Sequence, residues 1–210
     1  MSYMENIYIC LAAPLLMAVL CLRGNVRRTF LFLLSGMTAC LLSAFVSSFL
    51  AGITGTELKD AVYEIVPAVE EFIKFSPVLF YILVFLPEKR HAISGALVVA
   101  VGFATLENVC FLTEQGTSEL LRLLLRGFGT GAMHVVCGMI VATGLYFLWD
   151  QTWLRLLGTF ALLCLAITFH AIFNIFAVQT GIVFWVGSSI PLVLILTGWL
   201  LLRKRISITE

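Results

Sequence analysis

The sequence predicts an all-α protein, a polytopic bundle of transmembrane helices. Of its 210 residues, 61% are apolar and only 12% are charged, whereas a soluble domain has about 45–50% and about 25%. The apolar residues form long runs separated by short charged clusters, which is the pattern of membrane-spanning helices. Because a soluble globule could not bury this much apolar surface, we expect a multi-pass protein embedded in a lipid bilayer.

Each crossing of the hydrocarbon core takes about 20 apolar residues. On that criterion the sequence holds about seven candidate spans, at residues 3–22, 29–50, 64–86, 92–113, 124–149, 155–178 and 182–202. We expect them to form a single integral membrane domain over residues 1–210. The formal net charge of +1, without a basic stripe, gives no support for nucleic-acid binding.

The distribution of lysine and arginine predicts the orientation, since cytoplasmic loops retain these residues. One set of span ends carries nine of them: Arg23, Arg27, Arg28, Lys89, Arg90, Arg155, Arg203, Lys204 and Arg205. The opposite set carries three: Lys59, Arg122 and Arg126. We therefore expect the amino terminus outside and the carboxyl terminus in the cytoplasm.

Several polar residues lie inside the predicted spans. They are Glu70, Glu71, Lys74, Glu107, Asn108, His134, His170 and Asn174. Unpaired, the three glutamates and the lysine would cost about 10–14 kcal/mol on insertion scales, which rivals the stability of a whole protein. We therefore expect these side chains to contact one another inside the bundle.

The estimated depths of these groups agree with that expectation. Counting about 1.5 Å per residue from the predicted outer end of each span places four of them roughly 9–15 Å deep: Glu71, Glu107, His134 and His170. We predict that the polar groups surround one water-filled cavity that opens outward. On the fifth span Gly127 and Gly131 form a GxxxG pattern that predicts close helix approach, and Arg126 is interpreted as an interface anchor that snorkels outward.

This set of groups suits the hydrolysis of an amide bond. A carboxylate could act as general base, His134 could relay the proton, and His170 with Asn174 could donate hydrogen bonds to the oxyanion. The same imidazoles and carboxylates could instead hold zinc, and the sequence does not separate the two routes. Because no serine or cysteine lies at the polar level with a matching base, nucleophilic catalysis is the weaker hypothesis.

Four motifs in the sequence resemble those of a known family. They are Glu70-Glu71-x-x-Lys74, Phe103-x-x-x-Glu107-Asn108, His134 after a glycine-rich stretch headed by Arg126, and His170-x-x-x-Asn174. Together, within a core of residues 64–178, they resemble the signature of the PrsW intramembrane proteases, distant relatives of the type II CAAX prenyl proteases and the bacteriocin-immunity membrane proteases. The CAAX relatives have histidine where this chain has Glu107, so their glutamate–histidine pair cannot be transferred to this position.

The resemblance implies a bacterial plasma-membrane protease that cuts a single-pass membrane protein, such as a membrane-anchored anti-sigma factor, on its extracytoplasmic side. The implied catalytic residues are Glu70, Glu71, Glu107, His134 and His170, to which we add Asn174 as oxyanion donor. The supporting residues are Lys74, Asn108 and Arg126. If zinc is the cofactor, the candidate ligands are Glu71, Glu107, His134 and His170.

Other interpretations remain open at this level. Glu70, Glu71 and Lys74 could be a structural ion-pair cluster, and Asn174 could only bond to a neighbouring helix. Intramembrane carboxylates and histidines also build the relays of proton- or cation-coupled transporters. A third possibility is a scaffold that binds a partner helix through the polar groove without chemistry.

Overall fold

The computed structural model describes residues 4–114, 120–148 and 150–209, and these residues form helices and no strands. The eight helices are α1 (Met4–Cys21), α2 (Gly24–Thr54), α3 (Leu58–Glu64), α4 (Val66–Phe85), α5 (Lys89–Glu114), α6 (Leu120–Leu148), α7 (Thr152–Ala177) and α8 (Gly181–Thr209). The predicted all-α fold is therefore confirmed.

Six of the helices are long and apolar enough to cross a membrane, namely α1, α2, α5, α6, α7 and α8. They correspond to six of the seven predicted spans, and the protein is a multi-pass membrane protein. The remaining predicted span, 64–86, corresponds to α4, whose 20 residues carry three charged side chains. The short helix α3 precedes it and was not predicted. Pro67 marks the boundary, since it lies in the first turn of α4. The backbone N–H groups of a first turn have no partner within the helix, so the N–H that proline lacks is not missed there.

Helices α2 and α5 cross at very short distance. A Cβ atom on Gly36 would lie 2.1 Å from the carbonyl oxygen of Val99, and one on Gly102 would lie 2.2 Å from that of Leu33. Two glycines, one on each helix, therefore let the backbones touch. This contact fixes α5, which carries Glu107, against α2.

The predicted close approach at Gly127 and Gly131 is wrong. A Cβ atom at either position would meet nothing within 4 Å, whereas one on Gly129 would lie 2.7 Å from the carbonyl oxygen of Ser188 on α8. Gly129 lies between the two glycines in sequence but on nearly the opposite side of α6, about 200° around the helix axis, and it is this side that packs against α8. Gly138, also on α6, packs against Ala100 of α5.

Helix α4 contains Pro77 one turn after its charged residues. Proline has no N–H to donate, so the carbonyl of Ile73 loses its helical partner. The hydroxyl of Ser76 donates to that carbonyl at 2.7 Å instead. This bond lets α4 continue through the proline, which would otherwise leave an unsatisfied carbonyl in an apolar environment.

A tightly packed apolar core lies one helical turn from the polar residues. Its members include Val78 of α4, Val99 of α5, Cys137 of α6 and Ala166 of α7, each at most 2% exposed. Val78 follows Lys74 by four residues, and Cys137 follows His134 by three, so the core begins where the polar side chains end. A cavity of about 20 Å³ borders Glu71 and Lys74 on that side, which is room for about one water molecule.

Candidate active site

The structure brings the predicted polar side chains of four helices into contact. Helix α4 supplies Glu70, Glu71 and Lys74, α5 supplies Glu107, α6 supplies His134, and α7 supplies His170. Hydrogen bonds link five of the six across sequence separations of up to 99 residues, and Glu70 lies 3.6 Å from His170. The predicted proximity of these groups is confirmed. It follows from the high free-energy cost of burying a charged side chain without a partner.

Glu71 lies in the most deeply buried part of this cluster. Its Oε1 accepts a hydrogen bond from Lys74 Nζ at 2.5 Å and lies 2.8 Å from His170 Nδ1. The Glu71 and His170 side chains are each 2% exposed. A carboxylate at Nδ1 fixes the ring orientation of His170 and leaves its Nε2 free to bind.

His134 is completely buried and has a partner on each ring nitrogen. Its Nδ1 lies 3.0 Å from Lys74 Nζ, and its Nε2 lies 2.5 Å from Glu107 Oε2. An ammonium group can only donate, so Nδ1 accepts, and Nε2 carries the hydrogen directed at Glu107. Phe103, the first residue of the second motif, packs against this imidazole with ring centroids 4.8 Å apart.

Arg126 points into the site. Its guanidinium Nη2 donates to Glu107 Oε1 at 3.2 Å, and its centre lies 4.5 Å from the ring centroid of Phe111. The side chain is only 17% exposed, so the predicted snorkelling of Arg126 towards the membrane surface is wrong. The half-buried carboxylate of Glu107 and the ring of Phe111 together explain its inward orientation.

Three of these residues form a group that could hold a metal ion. Ligand atoms of Glu70, His134 and His170 all lie within 4.8 Å of one another. Glu70 Oε2 is buried without a hydrogen-bond partner and lies 3.6 Å from His170 Nε2. Two imidazoles and one carboxylate are the ligands of many catalytic zinc sites, so the donor set fits this metal.

This group differs from the ligand set expected from the sequence. His134 and His170 belong to both, but the carboxylate beside them is that of Glu70. Glu71 contacts Lys74 and His170 Nδ1, and Glu107 contacts Arg126 and His134. Both of these carboxylates therefore surround the candidate ligands instead of completing the trio.

A cavity of about 590 Å³ opens beside the trio. Five of the predicted site residues line it: Glu70, Glu107, Arg126, His170 and Asn174. Glu71, Lys74 and His134 do not, so the prediction that all the polar groups surround one cavity holds only in part. The groups that line the cavity could contact a substrate directly, and the others lie behind them.

The two predicted asparagines make bonds to backbone carbonyls. Asn174 Nδ2 donates to the Val62 carbonyl at 3.0 Å, and Asn108 Nδ2 donates to the Gly127 carbonyl at 3.1 Å. Asn174 thereby ties α7 to α3, at the edge of the cavity. In α3, Tyr63 donates to Asp60 at 2.6 Å, and this bond raises the pKa of the Tyr63 phenol.

Sequence reasoning did not identify seven of the twelve residues of the cavity wall, and three of the seven are instructive. Val62 lies on the unpredicted helix α3, and Phe184 lies on α8, which carries none of the four motifs. Arg122 also lines the cavity. Its position four residues before Arg126 places both on one face of α6, and that spacing is the signal that could have identified it.

Comparison with known proteins identifies the family. Residues 26–201 match the family described as PrsW family intramembrane metalloprotease. This range is wider than the 64–178 core on which the four motifs lie, and it includes most of α2 and α8. No curated protein and no solved structure matches the chain. Because the match covers most of the sequence and the polar cluster carries the four motifs, the chain belongs to the PrsW family of intramembrane metalloproteases.

Proposed function

We propose that the protein is a metal-dependent endopeptidase that cleaves a single-pass membrane protein near its extracytoplasmic face. A membrane-anchored regulator such as an anti-sigma factor is the proposed substrate. The observation that carries the proposal is the trio of Glu70, His134 and His170, set beside a cavity large enough for a segment of peptide.

In this proposal Glu70, His134 and His170 would hold a zinc ion, and His134 would exchange one of its two ring-nitrogen partners, Lys74 or Glu107, for the metal. Zinc bound there would supply a Lewis acid for the scissile carbonyl and a water molecule of lowered pKa. Glu71 acts on His170 through Nδ1, at 2.8 Å, and so directs Nε2 of that ring towards Glu70. His134 Nε2 donates its hydrogen bond to Glu107, which lies 2.5 Å away and lines the cavity, and so orients that carboxylate.

Glu107 is the proposed acid–base residue. Its side chain is 26% exposed, and a carboxylate has about four lone-pair sites, so it can accept a further hydrogen from a water molecule in the cavity. It would take a proton from the attacking water and give it to the leaving amide nitrogen. Arg126 and His134 hold the carboxylate from two sides.

The position of the cavity supports a substrate held in the membrane. The cavity is lined by the end of α7, the beginning of α6 and residue Val62 of α3. These segments belong to the side of the bundle that carries Lys59, Arg122 and Arg126, the side with few basic residues. The charge distribution predicts that this is the outer side, and that prediction supports cleavage near the extracytoplasmic face.

Metal analysis of purified protein tests the proposal together with cleavage of a single-pass substrate. We expect one zinc per chain and loss of cleavage on chelation. Glu70→Gln and His170→Ala should lose both metal and activity. Glu107→Gln should keep the metal and lose activity by about 10²–10⁴-fold. Glu57→Gln, an exposed glutamate in a surface ion pair, is the matched control and should behave like the parent.

Other outcomes would contradict parts of the proposal. Full activity in rigorously metal-free protein would exclude the metal route and leave glutamate-based activation of water. Unchanged cleavage by Glu70→Gln and His170→Ala would show that the trio is not the active site. Ion or proton flux in proteoliposomes that Glu107→Gln abolishes, without any peptidase activity, would favour the transporter.

A further inference from the structure

Two arginines on one face of α6 line the wall of the cavity. Arg122 and Arg126 both border it, and residues four apart on a helix lie about 6 Å from each other. Arg126 is the nearer to the reacting groups, since it contacts Glu107. Arg122 lies one turn closer to the beginning of the helix.

An aromatic ring positions Arg122 in the cavity wall. Its guanidinium centre lies 5.1 Å from the ring centroid of Phe184, a side chain that is only 4% exposed. Among the residues that the structure describes, no carboxylate lies within ion-pair distance of it. A cation held over a ring face keeps its N–H donors free for other partners.

Arg126 also has an unused donor. Its Nη2 bonds to Glu107, but Nη1 is buried and has no hydrogen-bond partner. A buried charged donor without an acceptor is costly. The residues of the wall do not supply that acceptor, although a molecule bound in the cavity could.

We propose that Arg122 and Arg126 form a subsite for a substrate carboxylate, the side chain of an aspartate or glutamate close to the scissile bond. This inference rests on the proposed protease function. Guanidinium groups bind carboxylates through charge-assisted, often bidentate hydrogen bonds. The carboxylates of the cavity itself have other neighbours: Glu107 contacts Arg126 and His134, and Glu70 lies beside His170.

The geometry also places this acidic residue along the substrate. Arg126 contacts Glu107, the proposed acid–base residue. Arg122 lies one helical turn away from Arg126 and therefore from the site of cleavage. An extended peptide advances about 3.3 Å per residue, so a 6 Å offset corresponds to about two residues. The acidic side chain therefore lies about two residues from the cut, on the side nearer the membrane surface.

A charge-swap experiment tests the subsite. Purified zinc-loaded protein is assayed on a single-pass substrate that carries Asp, Asn or Lys at each of the four positions on either side of the cut. We expect the parent to favour Asp over Asn by about 10- to 100-fold in kcat/KM at one position, as a hydrogen-bonded charge pair allows. Arg122→Gln should abolish that preference, and Arg122→Glu should favour Lys at the same position.

The control is Lys59→Gln, which removes a cation of the same side that is 73% exposed and does not line the cavity. It should keep the preference for Asp and cleave both substrates like the parent, and all variants should keep the metal content. Equal cleavage of Asp and Asn substrates by the parent, or a preference that survives in Arg122→Gln, would overturn the subsite. Failure of the parent to cut any substrate would instead overturn the proposed protease function.

Discussion

At the scale of single residues, Lys74 connects the two halves of the polar cluster. Its ammonium contacts Glu71 and the Nδ1 of His134, and its side chain is 5% exposed. Removing one partner of a buried ion pair leaves the other charge without compensation. We predict that Lys74→Met lowers the free energy of unfolding by about 3–5 kcal/mol, measured by denaturant titration of the purified protein in detergent.

The double variant Lys74→Met/Glu71→Gln is the control for this prediction. Glutamine is neutral, so no uncompensated charge remains at position 71, and part of the lost stability should return. The coupling energy from the two single variants and the double variant isolates the pair. If Lys74→Met is no less stable than the double variant, the ion pair is not what stabilises this part of α4.

At the scale of helices, the α2–α5 crossing determines where Glu107 lies. A methyl group on Gly36 would meet the Val99 carbonyl at 2.1 Å, so the two helices must separate to accept it. Overpacking of this kind costs about 1–3 kcal/mol. A displacement of about 1 Å at a catalytic group can lower the rate by about 10²-fold. We predict that Gly36→Ala lowers both stability and cleavage rate, measured by thermal unfolding and kcat.

Gly131→Ala is the matched substitution on α6. A Cβ atom there meets nothing within 4 Å, and alanine favours a helix over glycine by about 1 kcal/mol. This variant should be at least as stable as the parent and cleave at the same rate. Equal damage from Gly36→Ala and Gly131→Ala would show that the GxxxG pattern, and not the α2–α5 crossing, controls the packing.

At the scale of the whole molecule, the sequence was sufficient for the fold class and for the meeting of the polar groups. Long apolar runs require helices in a bilayer, and buried charges require partners. Both arguments depend on residue type and spacing alone. The cost of leaving Glu71 or Lys74 unpaired predicts that they find partners, and the structure supplies His170 and His134.

Other features depend on how each helix is rotated and on what packs against it. Glu70 and Glu71 are adjacent, so they point about 100° apart on α4; one lies in the candidate metal group and the other behind it. The sequence does not determine which of the two glutamates joins the candidate metal group. The inward orientation of Arg126 depends on Phe111 of a different helix. The break before α4 directly follows Glu64 at the end of the charged helix α3, and the hydropathy pattern marks the start of the apolar run without showing that a separate short helix precedes it.

The orientation of the bundle is the subject of a final prediction, since the distribution of basic residues predicts that the amino terminus and the cavity mouth lie outside. Single cysteines are introduced at Glu57, before α3, and at Glu88, between α4 and α5, in a chain whose six native cysteines are replaced by alanine. Both glutamates are exposed.

A membrane-impermeant maleimide added to intact cells should label position 57 at once and position 88 only after permeabilisation, because the loop with Lys89 and Arg90 is retained in the cytoplasm. A third cysteine at Arg122 should label like position 57, since it lines the cavity on the same side. The reverse pattern would place the cavity on the cytoplasmic face and exclude an extracytoplasmic cleavage site.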